Sequence, residues 1–316
     1  MECRICRNSD ENASFDVREM MFGTREVFGY FLCKSCGCLQ IAEVPDDRSR
    51  YYPADYYSFG KQPARKYRNP LKRPIKRLRD RWAVLGRGWL GRIIYAFYPN
   101  ADMRKLSPLH LETTSRVLDV GCGNGGRLYV LREIGFENLL GIDAYIETDI
   151  EYPNGLKVVK KTIGDVEGAW DCVMFHASFE HMPEPLGTLS RAAALLREGG
   201  VCYVRIPLVS SYAWEHYGVN WVQLDAPRHL YLHSTRSFEL LAANAGLQVE
   251  QVIHDSTAFQ FWGSELYAKD IPLKSDHPRS LFSRSRMRAF RKKARELNRD
   301  GRGDIASFYL TKRKTE

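Results

Sequence analysis

Arg116-Val117-Leu118-Asp119-Val120-Gly121-Cys122-Gly123-Asn124-Gly125-Gly126 is the stretch whose reading decides the fold. A short β-branched run ends in an aspartate and breaks into glycines, and a helical pattern follows at Leu128, Val130, Leu131 and Ile134. The pattern predicts a strand that delivers a carboxylate to a loop with few side chains to obstruct a ligand. Glycine tolerates positive φ and close approach of the main chain. The helix opening behind the loop offers unpaired N–H groups. A small polar cofactor suits such a cradle.

Outward from this loop the chain alternates strands and helices, the signature of a parallel sheet covered on both faces. A second strand, Leu139 to Asp143, ends in an acid about 20 residues after the loop. Lys157–Lys161 reads as a third strand and Trp170–Phe175 as a fourth. A helix over Leu186–Arg197 stops at Gly199-Gly200, and Val201–Ile206 is the fifth strand. A Ser234-capped helix, Ser237–Asn244, leads to a sixth strand at Leu247–Ile253, and Asp304–Leu310 is the seventh. A dinucleotide-binding fold shares the glycine loop and the acid on strand two. The Gly-Cys-Gly-Asn-Gly-Gly order and the aspartate before it fit a mononucleotide-sized cofactor with an amino-acid tail better. Asp119 can face its ammonium, and Asp143 can take both ribose hydroxyls.

These residues carry a family resemblance. Val117–Gly125 resembles the first motif of class I S-adenosylmethionine-dependent methyltransferases, and Gly141-Ile142-Asp143 their ribose-binding strand end. Gly164-Asp165-Val166 is similar to the acidic position that meets the adenine. Trp170–Phe175 with Glu180-His181-Met182-Pro183-Glu184-Pro185 resembles the fourth-strand motif, and Leu195–Gly200 the turn before strand five. Asp225-Ala226-Pro227-Arg228-His229-Leu230 and Ser234 are similar to a common subgroup. The resemblance covers roughly residues 110–316. It implies a Rossmann-like, seven-stranded α/β sheet flanked by helices, with S-adenosylmethionine as cofactor. The cofactor-binding set is then Asp119, Gly121, Gly123, Gly125, Asp143, Asp165 and His176.

The sulfonium already activates the methyl group, so the protein has mainly to orient the acceptor and remove a proton. His176, Glu180, His181, His229 and His233 lie beyond strands four and five. His181 and His229 are candidate bases because histidine titrates near neutrality, and Glu180 stands beside them. A structural hydrogen bond is the plainer role for His181. A divalent cation held by Glu180, His181 and a further group is another. Residues 207–228, with Tyr212, Trp214, His216, Tyr217 and Trp221, are long for a connection. They suit either an aromatic lid over a sugar ring or a packed loop without ligand contact.

The N-terminal 45 residues read as a separate module. Cys3-x2-Cys6 and Cys33-x2-Cys36 are two CxxC pairs 26 residues apart, flanking strand-like runs at Phe15–Val17 and Val27–Leu32. Four thiolates at this spacing predict a structural zinc ribbon, with Cys38 as an alternative fourth ligand. Cys122, Cys172 and Cys202 fall on core strands or the glycine loop, where small apolar packing is the usual role. The ribbon, followed by Tyr51-Tyr52-Pro53 and Asp55-Tyr56-Tyr57, resembles methyltransferases of sugar and surface-polysaccharide pathways. Nucleotide-sugar C-methyltransferases with this ribbon usually carry a further C-terminal domain. This chain departs from that pattern by ending at strand seven, which leaves O- or N-methylation of a glycan-related acceptor at least as well supported.

Residues 46–109 connect ribbon and sheet, and residues 110–316 form the sheet domain. Within the connector, Leu71, Ile75, Leu78, Trp82, Leu85 and Trp89 recur at helical spacing among Lys and Arg, with Gly86, Gly88 and Gly91 weakening one long helix. The pattern fits three partners: the main domain, an anionic membrane surface through residues 70–94, or nucleic acid.

The net charge of +9 is uneven. Residues 61–105 carry 14 Lys/Arg against 2 acids, and residues 269–316 carry 15 against 6. The remaining body is therefore acidic, which argues against nucleic acid. No apolar run approaches the roughly 18 residues of a membrane span, and Met1-Glu2-Cys3-Arg4 opens no signal sequence. A cytoplasmic enzyme acting on a sugar or glycan precursor is the expectation. An RNA methyltransferase and a catalytically silent cofactor-binding scaffold are its rivals.

Overall fold

The computed structural model describes residues 1–53, 63–276 and 278–313. Asp55, Tyr56 and Tyr57 of the tyrosine-rich stretch lie outside the described residues. The first three strands, β1 (Ala13–Arg18), β2 (Val27–Leu32) and β3 (Leu39–Ile41), form an antiparallel meander. The large sheet is built from β4 (Arg116–Val120), β5 (Asn138–Ile142), β6 (Ile150–Glu151), β7 (Lys157–Val159), β8 (Trp170–His176) and β9 (Leu196–Pro207). After β10 (Tyr231–Leu232), β11 (Leu247–His254) and β12 (Ile305–Lys312) complete it.

The large sheet has eight strands in the order β11-β12-β9-β8-β4-β5-β7-β6. Seven correspond to those expected. The eighth, β6, is a two-residue antiparallel edge strand on β7, too short to register as a pattern. β4, β5, β7, β8 and β9 run parallel, whereas β12 is wedged antiparallel between β9 and β11. The central strands are apolar on both faces, as a sheet covered by helices requires. Val117, Leu118, Cys172, Val173, Met174 and Phe175 are all fully buried. The strand ends at Asp119, Asp143 and His176 therefore meet at one edge, outside the carboxyl ends of the parallel strands, where such sheets bind ligands.

One bound is corrected and two open readings are narrowed. The helix read as Leu186–Arg197 spans Pro185–Leu195, and the next strand begins at Leu196 rather than Val201. Leu196 turns extended to pair with Trp170, and Gly199 at φ 72° absorbs the irregularity that follows. The connector pattern from Leu71 to Trp89 is two helices, Lys72–Leu85 and Trp89–Phe97, broken where Gly86 and Gly88 adopt φ of 67° and 95°. Gly91 lets them cross closely, since a Cβ there would lie 2.3 Å from the Leu78 carbonyl oxygen.

Residues 207–228, open between an aromatic lid and a packed loop, take a packed form. They fold into a short helix, Tyr212–Tyr217, and two 3-10 turns, and Trp221 is fully buried with its indole N–H donating to Asp304 at 3.0 Å.

The N-terminal module is not a free appendage. β10, a segment of the large domain, adds to β3 and makes the small sheet β1-β2-β3-β10. Around that seam the Tyr30 hydroxyl donates to the His229 carbonyl at 2.8 Å, and the Ser234 hydroxyl donates to the Cys36 carbonyl at 2.6 Å. Arg228, fully buried, pairs with Glu19 at 2.9 Å and Asp225 at 2.6 Å. Removing one partner from such a buried cluster would leave an uncompensated charge, at a cost of about 3–5 kcal/mol.

Candidate active site

The glycine loop folds back over β5. Gly121 and Cys122 both donate to the Ile142 carbonyl, at 2.8 and 3.2 Å. Gly121 stands at φ 70° with Ser178 so near that a Cβ would lie 2.6 Å from the serine Cβ. Any other residue there would have to displace the β8 loop. Asp143 ties the loop down from the neighbouring strand. One carboxylate oxygen accepts from the Gly123 N–H at 2.8 Å and the other from the Tyr145 N–H at 2.8 Å. Each oxygen keeps acceptor capacity, so the carboxylate can still take a pair of vicinal hydroxyls. Burial pushes its pKa up, against the pull of those two N–H groups.

Two chambers meet at this loop, sharing Gly121 and Ala177 in their walls. The first, about 300 Å3, is lined by Asp143, Tyr145, Thr162, Ile163, His181 and Met182, with Arg48 and Tyr52 closing it from the connector. The second, about 580 Å3, is lined by Asp119, Gly123, Asn124, Arg127 and His176, with Arg65, Lys66, Asn100 and Asp102 opposite. Ala177, at the shared wall, holds φ 53°, a strained value for a residue with a Cβ and one that clusters at functional sites. An elongated cofactor with an apolar ring at one end and a zwitterion at the other can span both chambers. Buried Asp119 is pushed up to about 7 by desolvation, against the opposing charge of Arg127. A cationic group placed beside it would restore its ionised form.

Not every expected cofactor residue lies in these walls. Gly125 lines neither chamber. It caps the helix Gly126–Glu133 at φ 71°, and a Cβ there would lie 2.6 Å from the Val158 side chain, so its smallness serves packing on β7. Asp165 also lines neither chamber. Its carboxylate accepts from the Thr162 N–H at 3.0 Å and hydroxyl at 2.7 Å, a capping box that shapes the Thr162-Ile163 wall instead. Arg48, Tyr52, Thr162, Asp102 and Arg127 were not anticipated. Only Arg127, directly after the glycine loop, stands where sequence could have pointed to it.

Glu180, His181 and His229 come together, each with a ligand atom within 4.8 Å of the others. Leu230 N–H donates to the Glu180 carbonyl at 2.8 Å, which brings residues almost fifty positions apart into contact. His181 Nδ1 lies 2.8 Å from the Arg228 carbonyl and 3.1 Å from the Tyr52 hydroxyl. His229 Nδ1 lies 2.7 Å from the Gln223 carbonyl. A carbonyl only accepts, so each Nδ1 carries the proton and each Nε2 keeps its lone pair. His229 Nε2 sits 3.9 Å from Glu180 and 3.8 Å from Asp225.

Burial dominates the titration of all three. His181 is pushed down to about 3, His229 is lowered, and Glu180 is pushed up to about 8. Among the described residues Glu180 Oε2 is buried without a hydrogen-bond partner. Protonated near neutrality, it would have to ionise before it could take a proton from an acceptor or hold a divalent cation. His181 alone of the three faces a chamber. His176 lies apart from them, 3.5 Å from Asp102. His233 is fully buried against Ser237.

In the small domain Cys3, Cys6, Cys33 and Cys36 converge, their sulfurs all within 4.8 Å of one another. The Cys3–Cys36 and Cys6–Cys33 separations are 3.6 and 3.5 Å. A tetrahedral ion with metal–sulfur bonds of about 2.3 Å sets its ligand sulfurs roughly 3.8 Å apart, so the cluster is near that size already. Gln40 donates to Cys3 Sγ at 3.1 Å, and the Ile5 and Cys36 N–H groups approach Cys3 and Cys33 at 3.4 and 3.5 Å, as thiolate ligands require. Cys38 falls outside the cluster, buried against the Leu39 carbonyl. Cys172 and Cys202 are fully buried in the core, and Cys122 packs beside Gly141.

Comparison with known proteins gives the family. A family model described as a methyltransferase domain matches residues 94–252, half of the chain. A ubiquinone biosynthesis O-methyltransferase of Xanthomonas axonopodis pv. citri (strain 306) is 27% identical over 200 residues, spanning 55% of this chain and 81% of that one. The enzyme of the same name from Xanthomonas oryzae pv. oryzae (strain PXO99A) is 26% identical over 203 residues, with the same shares. Among solved structures, a SAM-dependent methyltransferase from Archaeoglobus fulgidus is 19% identical at a TM-score of 0.44, covering 71% of this chain and 100% of that chain.

Proposed function

The chain belongs to the methyltransferase domain family and is a class I, S-adenosylmethionine-dependent methyltransferase, and from that premise we propose that it methylates a hydroxyl oxygen of a sugar or glycan precursor. The observation that carries oxygen as the acceptor is His181, a neutral imidazole whose Nδ1 proton is fixed by the Arg228 carbonyl and whose ring borders the adenosyl-sized chamber. The relatives named as O-methyltransferases lend the same atom support. The sugar class is supported by the likeness of the cysteine ribbon and Tyr51-Tyr52-Pro53 to glycan-pathway enzymes. We read the four-cysteine cluster as a structural zinc site within that ribbon.

In this reading the adenosine lies in the first chamber, with its ribose on Asp143 and its adenine against Thr162 and Ile163. The amino-acid tail enters the second, with its ammonium toward Asp119. The acceptor oxygen attacks the methyl carbon, the carbon–sulfur bond breaks, and its electron pair returns to sulfur to give S-adenosylhomocysteine. The hydroxyl proton passes to His181 Nε2. Burial keeps the imidazole unprotonated but also makes it a weak base, so it can take the proton only from an oxygen that has itself become more acidic than the imidazolium. The transfer comes late, because the oxygen becomes strongly acidic only as its new bond forms.

A second reading rests on the orphaned Glu180 Oε2. Glu180, His181 and His229 would together hold a divalent cation, which would supply Lewis acidity to the acceptor oxygen. Activity after chelation, with and without added magnesium or zinc, separates the two readings. The main proposal is tested with labelled methyl donor over nucleotide-linked sugars, lipid-linked glycans and phenolic acceptors. Label on a sugar oxygen is expected, falling at least about a hundredfold in His181→Ala while S-adenosylhomocysteine still binds. Label on phenols and on no sugar would overturn the acceptor class.

A further inference from the structure

The helical hairpin between the ribbon and the sheet leaves its apolar side uncovered. Leu71, Trp89 and Phe97 are 81%, 71% and 87% exposed, and Ile75, Leu78, Leu90 and Ile93 are exposed as well. These are not scattered. At 100° per residue, Trp89, Leu90, Ile93 and Phe97 fall within one 100° arc of the second helix. Leu71, Ile75 and Leu78 share one stripe on the first helix and the turn that leads into it. The opposite sides do pack: Ala83 and Val84 are buried, and Trp82 meets Tyr95 at 4.8 Å between ring centroids. The hairpin is thus anchored to the enzyme by one side and bare on the other.

The hairpin's own charge is nearly of one sign, although Arg73 and Arg87 pair with Glu133 and Glu112 of the main domain. Residues 72–97 carry eight Lys or Arg and a single acid, Asp80, which is buried in a pair with Arg79 at 2.8 Å. Lys72, Arg77, Arg81 and Arg92 are exposed. We propose that this face docks on an anionic lipid bilayer, with Trp89, Leu90, Ile93 and Phe97 entering the headgroup boundary and the cations meeting lipid phosphates. A second copy of the chain would bring two cationic rims together. A nucleic acid would match the rim and leave the apolar centre in water. Only an anionic, apolar-cored surface satisfies both parts. Nine residues make a helix of about 14 Å, so it lies on the membrane; among the described residues no helix is long and apolar enough to cross one.

The placement bears on the acceptor. The segments on either side of the hairpin, Pro63 to Lys66 and Asn100 to Met103, line the larger chamber. Docking would hold that chamber beside the lipid surface, where an acceptor carried on a lipid anchor is presented. This consequence rests on the methyltransferase reading, whereas the docking itself needs no catalysis and is measured without it.

The test is co-sedimentation of the full chain with vesicles of phosphatidylcholine alone and with a quarter phosphatidylglycerol. Binding to the anionic vesicles is expected, weakening at high salt. Trp89→Ser with Phe97→Ser should lower partitioning by at least about tenfold. Arg77→Ala and Arg81→Ala should each lower it about fivefold. Lys76 is a poorer probe, since its ammonium donates to the Lys66 carbonyl and lies over the Tyr67 ring. Undiminished binding of S-adenosylhomocysteine by the variants shows that they are folded. No pelleting at low salt, or equal pelleting of the Trp89→Ser/Phe97→Ser protein, would overturn the proposal. So would a solution dimer that the same pair of substitutions dissolves, or RNA binding tighter than vesicle binding.

Discussion

Replacing Asp143 by asparagine keeps the shape of the side chain and exchanges one carboxylate oxygen for NH2, and the structure specifies what that does. Both carboxylate oxygens already accept a backbone N–H at 2.8 Å, one from Gly123 and one from Tyr145. An amide can accept at only one of these places. Whichever way it is turned, its NH2 faces a backbone N–H, donor against donor. Either the glycine loop or the Tyr145 turn must then move. The ribose loses one of its two acceptors and finds the other on a neutral group.

A hydrogen bond to a charged group contributes about 1.5–3 kcal/mol, and about 1.4 kcal/mol is tenfold in affinity. One lost acceptor therefore weakens S-adenosylhomocysteine binding by roughly 10- to 150-fold. Denaturant stability falls by a further ~1–3 kcal/mol for the N–H left facing a donor in a site that is only 8% exposed. Calorimetry on the Asp143→Asn protein, paired with urea unfolding, reads both quantities. An affinity within about threefold of the wild type, less than 1 kcal/mol, would refute the assignment of Asp143 to the ribose.

Asp119, pushed up to about 7 by burial, is largely protonated in the free enzyme below that pH. A ligand ammonium selects the ionised form, so binding releases a proton and S-adenosylhomocysteine affinity should rise with pH up to about 7 and then flatten. Asp119→Asn should bind weakly at every pH; an unchanged slope in that variant refutes the role. Glu180 is pushed up to about 8, above its unfolded value of about 4.3. Between those pH values the native state holds a Glu180 proton that the unfolded chain releases, so this group's contribution to stability falls as pH rises through the window. The wild type should therefore lose stability relative to Glu180→Gln as pH rises toward 8, and parallel unfolding curves would contradict it. Metal analysis should find about one zinc per chain. Cys33→Ser should lose the metal together with several kcal/mol of stability, whereas a stable, metal-free wild-type protein would end the zinc reading.

What the sequence made legible was what short-range pattern can carry. The strand from Arg116 to Val120, its glycine turn and the acid at 143 are written in adjacent residues, and the structure places them as read. The errors arise where a distant partner decides. Leu196 to Gly200 looks like a helix running into a glycine stop, yet the pairing of Leu196 with Trp170 pulls it into the sheet. For Trp214 and Trp221 the sequence left a lid and a packed loop both open; Trp221 reaches across the fold to Asp304, and Trp214 stacks edge-on with Phe15 at 5.2 Å. Arg48 and Tyr52 close the first chamber from a segment whose local composition has no period at all.

The N-terminal module shows most plainly why such partners matter to the chemistry. As sequence it is a self-contained cysteine unit, and its natural reading is a tethered accessory. In the fold it reaches the residues that flank His181 and His229. Tyr30 donates to the His229 carbonyl and Glu19 pairs with Arg228, whose own carbonyl fixes the His181 tautomer. β10, two residues past His229, is a strand of the module's sheet. The backbone that orients both histidines is thus held between the large sheet and the cysteine-bearing one. The loop Asp225 to Leu230 is held from the large domain by Asp225, Glu180, His181 and Gln223, and from the small one by Tyr30 and Glu19. The four-cysteine cluster is therefore tied, through the sheet that carries it, to the backbone that orients His181 and His229.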